Sequence, residues 1–153
     1  MNVLHPLFVH LHIAFLLMAF LAMAYWLVKG LGSSVFDDKI YRFARVCTQL
    51  GVFFIVLSML AGVRDGFHGT IASFKGSHGG WLMTKATLAT IMLGVYGLFL
   101  YFSGKKPRYL QEDPRILAWC LVTQVMGIML MIAITTIGTM LVYFRVSLPR
   151  FSL

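Results

Sequence analysis

Four stretches of the chain, at about 7–28, 46–63, 81–102 and 116–144, run almost without polar residues. A helix rises ~1.5 Å per residue, so ~20 apolar residues cross the ~30 Å hydrocarbon core of a bilayer. Each stretch is close to that length. The apolar runs are continuous and do not alternate with polar positions, which favours helices over a membrane barrel. The fourth contains no charged residue and is longer than one crossing needs, so it is expected to tilt or protrude. The pattern therefore predicts an all-α, integral membrane four-helix bundle, a single domain over residues 1–153. Asp37-Asp38 and Glu112-Asp113-Pro114 close the two basic connections and read as helix starts, since acids favour a helix N-terminus and proline its first turn. The connection from Arg64 to Gly80 holds Gly66, Gly69, Gly76, Gly79 and Gly80. That composition allows close approach to a ligand or simply a turn-rich link.

Composition agrees. Of 153 residues, 59% are hydrophobic and 12% charged, and mean hydropathy is +0.85. A soluble domain averages ~45–50% apolar and ~25% charged. An ordinary soluble enzyme, a disordered chain and a collagen-like chain are thereby excluded. The formal charge is +8, but the cations fall between apolar runs. They read as topology signals and contacts to anionic lipid head groups, and no nucleic-acid partner is expected. Lys29, Lys39, Arg42 and Arg45 lie around the first connection and Lys105, Lys106, Arg108 and Arg115 around the third. Only Arg64, Lys75, Lys85, Arg145 and Arg150 lie on the opposite side. The positive-inside rule then puts both basic connections in the cytoplasm and both termini on the outer, periplasmic side of an inner membrane. Ala22-Met23-Ala24 has the look of a signal cleavage site, but no cation precedes it and the apolar run is too long, so a retained first span is expected. Cys47 and Cys120 read as small buried membrane residues and not as a disulfide framework.

All five histidines, His5, His10, His12, His68 and His78, fall on the expected outer side. Ionisable groups at membrane depth are expensive and tend to mark function. At ~100° per residue His5 and His12 share a face, while His10 is about 160° from His12, so only one of these two faces can point into a bundle. Haem b is the leading candidate ligand. Facing helices can supply two axial imidazoles, and the flat macrocycle fits between spans. Arg64 and Lys85 are placed to hold propionates, with Phe8, Phe15, Phe53, Phe54, Phe67, Phe74 and Trp81 as lining. Each residue also has a plainer reading. His5 can be a helix-start residue, His12 a head-group contact, His68 and His78 solvated loop residues. Trp81 can be an interfacial anchor and Lys85 a snorkelling cation, and Arg64 can simply pair with Asp65.

Ten methionines raise a copper reading, but they are spread over all spans and core packing explains them better. Gly94, Gly97, Gly127 and Gly138, with Thr135, Thr136 and Thr139, are expected to allow close helix contact. Gln124, polar within a span, can bond across the bundle or contact a quinone, and the first is preferred. No nucleotide loop, hydrolase triad, zinc-protease helix or paired catalytic carboxylate is present.

The segment His5-Pro6-Leu7-Phe8-Val9-His10-Leu11-His12-Ile13-Ala14 resembles the opening of an uncharacterised family of four-span bacterial membrane proteins, which starts His-Pro-x-x-Val-His-x-x-Ile-Ala. Leu60-Ala61-Gly62-Val63-Arg64-Asp65 is similar to the end of that family's second span, and His78 stands where a histidine precedes or enters its third. The resemblance covers roughly residues 5–100. It implies a cytochrome b-like protein with His10 and His78 as the ligand pair. Gly80-Trp81-Leu82-Met83-Thr84-Lys85 looks like the start of span three in membrane protoporphyrinogen oxidases and copper-resistance membrane proteins. Those oxidases carry a further span-three histidine, where this chain has Tyr96 and Tyr101, a departure that counts against the oxidase activity.

The expectation is a haem b-binding subunit that passes electrons between the quinone pool and an outer-side redox partner within a larger membrane complex. His10 and His78 would be axial ligands. His12, His5 or His68 would be substitutes or proton acceptors at a quinone site, with Arg64 and Lys85 on propionates. The competing reading is a cofactor-free accessory or assembly subunit of a respiratory or photosynthetic complex. A solute or metal transporter is disfavoured by the lack of acids within the spans.

Overall fold

A computed structural model describes residues 4–33, 36–68, 77–104 and 113–140. They form four helices: α1 (Leu4–Ser33), α2 (Asp38–His68), α3 (Ser77–Ser103) and α4 (Pro114–Thr139). The glycine-rich segment 69–76, the basic segment 105–112 and the tail from 141 onward lie outside the described residues. His5, Arg64, Phe67, His68, His78 and Trp81 belong to helical backbone, but their side chains also lie outside the description. All four helices are long and apolar enough to span a membrane. The protein is an all-α, integral membrane four-helix bundle.

The helix starts follow from local chemistry. Asp113 is extended (φ −121°, ψ 100°) and its carboxylate accepts from the Arg115 backbone N–H at 2.9 Å, with Pro114 in the first turn. Asp37 does the same for α2, accepting from the Lys39 N–H at 3.0 Å and pairing with Lys29 Nζ at 3.3 Å. The first of these contacts, then the second, holds the Asp37 carboxyl below its ordinary value of 3.8. Because the cap stands at Asp37, α2 begins eight residues before the apolar run at 46. Lys39, Arg42 and Arg45 thus ride on helix and not on loop.

Successive helices run antiparallel. α1 packs most broadly on α2, and α3 on α4. The thinner contacts α2–α3 and α1–α4 join the two hairpins. Two apolar clusters, each fed by all four helices, stack along the axis. Toward the basic connections lie Met23, Trp26, Tyr41, Ala44, Phe99 and Cys120. Toward the histidine end lie Leu16, Ile55, Met92, Tyr96, Met131 and Ile134. Tyr41 donates its hydroxyl to the Ser103 carbonyl at 2.8 Å, tying the start of α2 to the end of α3.

The outside of the bundle is apolar, as lipid contact requires. Leu21, Val28, Leu60, Met129 and Ile132 are among the large side chains standing outward. Outward hydroxyls are satisfied on their own helix: Thr84, Thr87, Thr90, Thr136 and Thr139 each donate to the carbonyl four residues back. With no water in hydrocarbon, this back-bonding is how such residues are tolerated. Gly51 and Gly127 each make room for a buried side chain of a neighbouring helix. A Cβ on Gly51 would meet Leu16 Cδ2 at 2.5 Å, and one on Gly127 would strike the Tyr96 ring and stand 2.7 Å from its hydroxyl. Gly94 and Gly97 meet nothing within 4 Å, so they are not used for contacts among the described residues.

Candidate functional site

α1 is apolar around its whole circumference, so only packing decides which histidine turns inward. The structure buries His12, 5% exposed, and leaves His10 exposed on the opposite face. His12 lies on one stripe of α1 with Phe8 and Phe15, at spacings of four and three. Both rings face Phe54 of α2, at centroid distances of 6.2 and 5.6 Å, the second pair almost coplanar at 2°. The buried imidazole therefore shares its stripe of α1 with the two rings that meet Phe54.

The cluster of Leu16, Ile55, Met92 and Ile134 marks one level across the bundle. At a rise of ~1.5 Å per residue, His12, Ser58 and Gly138 lie about 5–6 Å from this cluster toward the histidine end, and Lys85 about 10 Å from it. These four residues come from α1, α2, α4 and α3 respectively, and form an inner tier. Ser58 is buried and donates to the Ile55 carbonyl at 2.9 Å. Lys85 is partly buried and reaches back across α4, where a Cβ on Gly138 would stand 3.1 Å from its ammonium. Gly138 is the notch that admits it. Among the described residues no acid pairs with Lys85.

The same register separates the other candidates. Measured from the same cluster, Arg64 lies about 14 Å out, His5 about 16 Å, and His68 and His78 about 20 Å. They form an outer tier at the ends of α1, α2 and α3. The structure thus brings His12 and Lys85 to neighbouring levels. It does not bring His10 into the bundle, and it places the His78 backbone about 12 Å farther out than that of His10.

Near mid-bundle the structure shows a second polar group. Gln124 Nε2 donates to Thr48 Oγ1 at 3.4 Å, a long bond from α4 to α2, so Gln124 does bond across the bundle. Thr48 in turn donates to the Ala44 carbonyl at 2.9 Å. Thr48 carries no sequence signal of its own, because a lone threonine in a span reads as a packing residue.

His12 can offer an imidazole to a metal centre or take a proton. Lys85 can receive an anionic group, and Phe8, Phe15 and Phe54 can line a flat ligand. A haem asks for these three things, and the residues present supply one axial position and one cation. No group of three or more metal-ligating side chains occurs among the described residues. Comparison with protein-family models, curated proteins and solved structures finds no match for this chain.

Proposed function

We propose that this membrane protein binds haem b at its histidine end and passes electrons between the quinone pool and a redox partner on that side, as a subunit of a larger membrane complex. The observation that carries the reading is the burial of His12 inside the bundle, on one stripe of α1 with Phe8 and Phe15 and at a level neighbouring that of Lys85. In this proposal His12 would hold the haem from inside the bundle, a role that sequence alone gave to His10. Lys85 receives a propionate. Haem supplies one-electron redox chemistry when bound. The chain's own residues orient it, exclude water from its face and neutralise its carboxylates. No second imidazole is assigned, because the backbones of His68 and His78 lie about 14–15 Å farther along the bundle than that of His12. Arg64, whose side chain lies outside the described residues, would receive a second propionate. His10, facing outward, is available to a partner subunit or to a quinone in the surrounding lipid.

The charge asymmetry supports an inner-membrane location with both termini on the periplasmic side, which puts the haem near the outer surface. The alternative, a cofactor-free accessory subunit, draws on Gly94 and Gly97, whose open face on α3 would admit a neighbouring helix.

Haem titration into the purified protein in detergent, followed by the Soret band, tests the proposal. Wild type and His10→Ala should bind one haem per chain, and His12→Ala should not. Absence of binding by wild type, or equal binding by His12→Ala, overturns it.

A further inference from the structure

The polar group at mid-bundle has a bonding pattern that can be followed atom by atom. Thr48 commits its only hydroxyl proton to the Ala44 carbonyl, so toward Gln124 it can act only as an acceptor. That fixes the Gln124 amide with its nitrogen toward Thr48, because the reverse orientation would set two acceptors face to face. Gln124 Oε1 is therefore turned away from Thr48. It is buried and has no hydrogen-bond partner among the described residues, in a residue 1% exposed. On α3, the Tyr96 hydroxyl is likewise buried without a partner among the described residues, in a residue 0% exposed. Tyr96 lies over Gly127, one helical turn along α4 from Gln124. An orphan acceptor on Gln124 and an orphan donor lying over Gly127 thus belong to neighbouring turns of one helix–helix seam, in the interior of a membrane bundle. An unsatisfied polar group there carries its full desolvation cost, so two left unmatched would be a costly arrangement.

The geometry points to a site for one small neutral hydrogen-bonding molecule, a water, between Tyr96 and Gln124. The water accepts the Tyr96 hydroxyl proton and donates to Gln124 Oε1, which satisfies both groups. The resulting chain, Tyr96 to water to Gln124 to Thr48 to the Ala44 carbonyl, links α3, α4 and α2. It crosses the thinner seam between the two hairpins with directional bonds, where apolar packing alone would leave them free to slide. The site is independent of the haem proposal, since it uses none of the same residues.

X-ray radiolytic labelling tests it, because hydroxyl radicals formed from a bound water oxidise the side chains that touch it. Phe99 is the internal control: it lies on the same helix, one turn away, and is equally buried at 0%. In the wild-type protein in detergent, Tyr96 should be oxidised several-fold faster than Phe99. Gln124→Leu should bring Tyr96 down toward the Phe99 rate by removing one anchor of the water. Equal rates for Tyr96 and Phe99 in wild type overturn the proposal without recourse to any variant. An undiminished Tyr96 rate in a folded Gln124→Leu protein overturns it as well.

Discussion

Substituting Gly127 by alanine should destabilise the bundle, while the same change at Gly94 should not. The added methyl at 127 would overlap the Tyr96 ring, standing 2.7 Å from the hydroxyl oxygen and 2.8 Å from Cε2. Tyr96 is fully buried, and an aromatic ring has no flexible end with which to yield. Overpacking of this kind costs about 1–3 kcal/mol. Alanine in place of glycine within a helix returns about 0.5–1 kcal/mol. The net expectation for Gly127→Ala is a loss of about 0.5–2 kcal/mol. At Gly94 the methyl meets nothing within 4 Å, so only the helix-propensity gain remains. Reversible unfolding in mixed detergent–SDS micelles, followed by tryptophan fluorescence, measures both. A second check is coupling: in a Tyr96→Ala background, where the ring is gone, the cost of Gly127→Ala should shrink or change sign. Equal effects at 127 and 94, or an unchanged cost without the Tyr96 ring, would refute the close α3–α4 approach.

Three further outcomes follow from named contacts. Tyr41→Phe removes the 2.8 Å bond to the Ser103 carbonyl and should lower stability by about 1 kcal/mol in the same assay. The folded-state pKa of Asp37 is depressed, so its stabilising contribution is complete above its ordinary value of 3.8 and is lost as pH falls through the lowered value. Asp37→Ala should therefore melt below wild type at neutral pH and converge with it in acid, read by thermal unfolding across pH. Lys85→Met should leave the melting temperature of the haem-free protein unchanged or raised, since it removes from a span an ammonium that no acid pairs with among the described residues. It should weaken haem affinity about tenfold, or ~1.4 kcal/mol; unchanged affinity would remove Lys85 from the site.

Much of the fold is written in the sequence, because hydrocarbon imposes a length and a polarity that four uninterrupted runs satisfy. Asp37 and the Asp113-Pro114 pair mark their helix starts by chemistry that acts within a few residues. The early start of α2 is not legible in hydropathy, since a helix bearing Lys39, Arg42 and Arg45 at the membrane surface looks polar. Which of His10 and His12 turns inward is hidden for a different reason. α1 is apolar on every side, so no periodic signal states which face is buried, and the decision rests on how Phe8, Phe15 and Leu16 meet α2. Gly94, Gly97, Gly127 and Gly138 look alike in sequence as contact residues. Only packing shows that Gly127 and Gly138 receive Tyr96 and Lys85 while Gly94 and Gly97 face outward. The mid-bundle polar group needs three dimensions altogether, because Thr48, Tyr96 and Gln124 are far apart in the chain.

The central claim is a haem held by the inward-facing imidazole of His12. A dithionite-reduced minus oxidised spectrum of the wild-type protein, purified from cells supplied with haem, tests it most directly. A b-type haem spectrum that is lost in His12→Ala and kept in His10→Ala is the expected result. A wild-type protein that purifies folded and colourless under those conditions would contradict it.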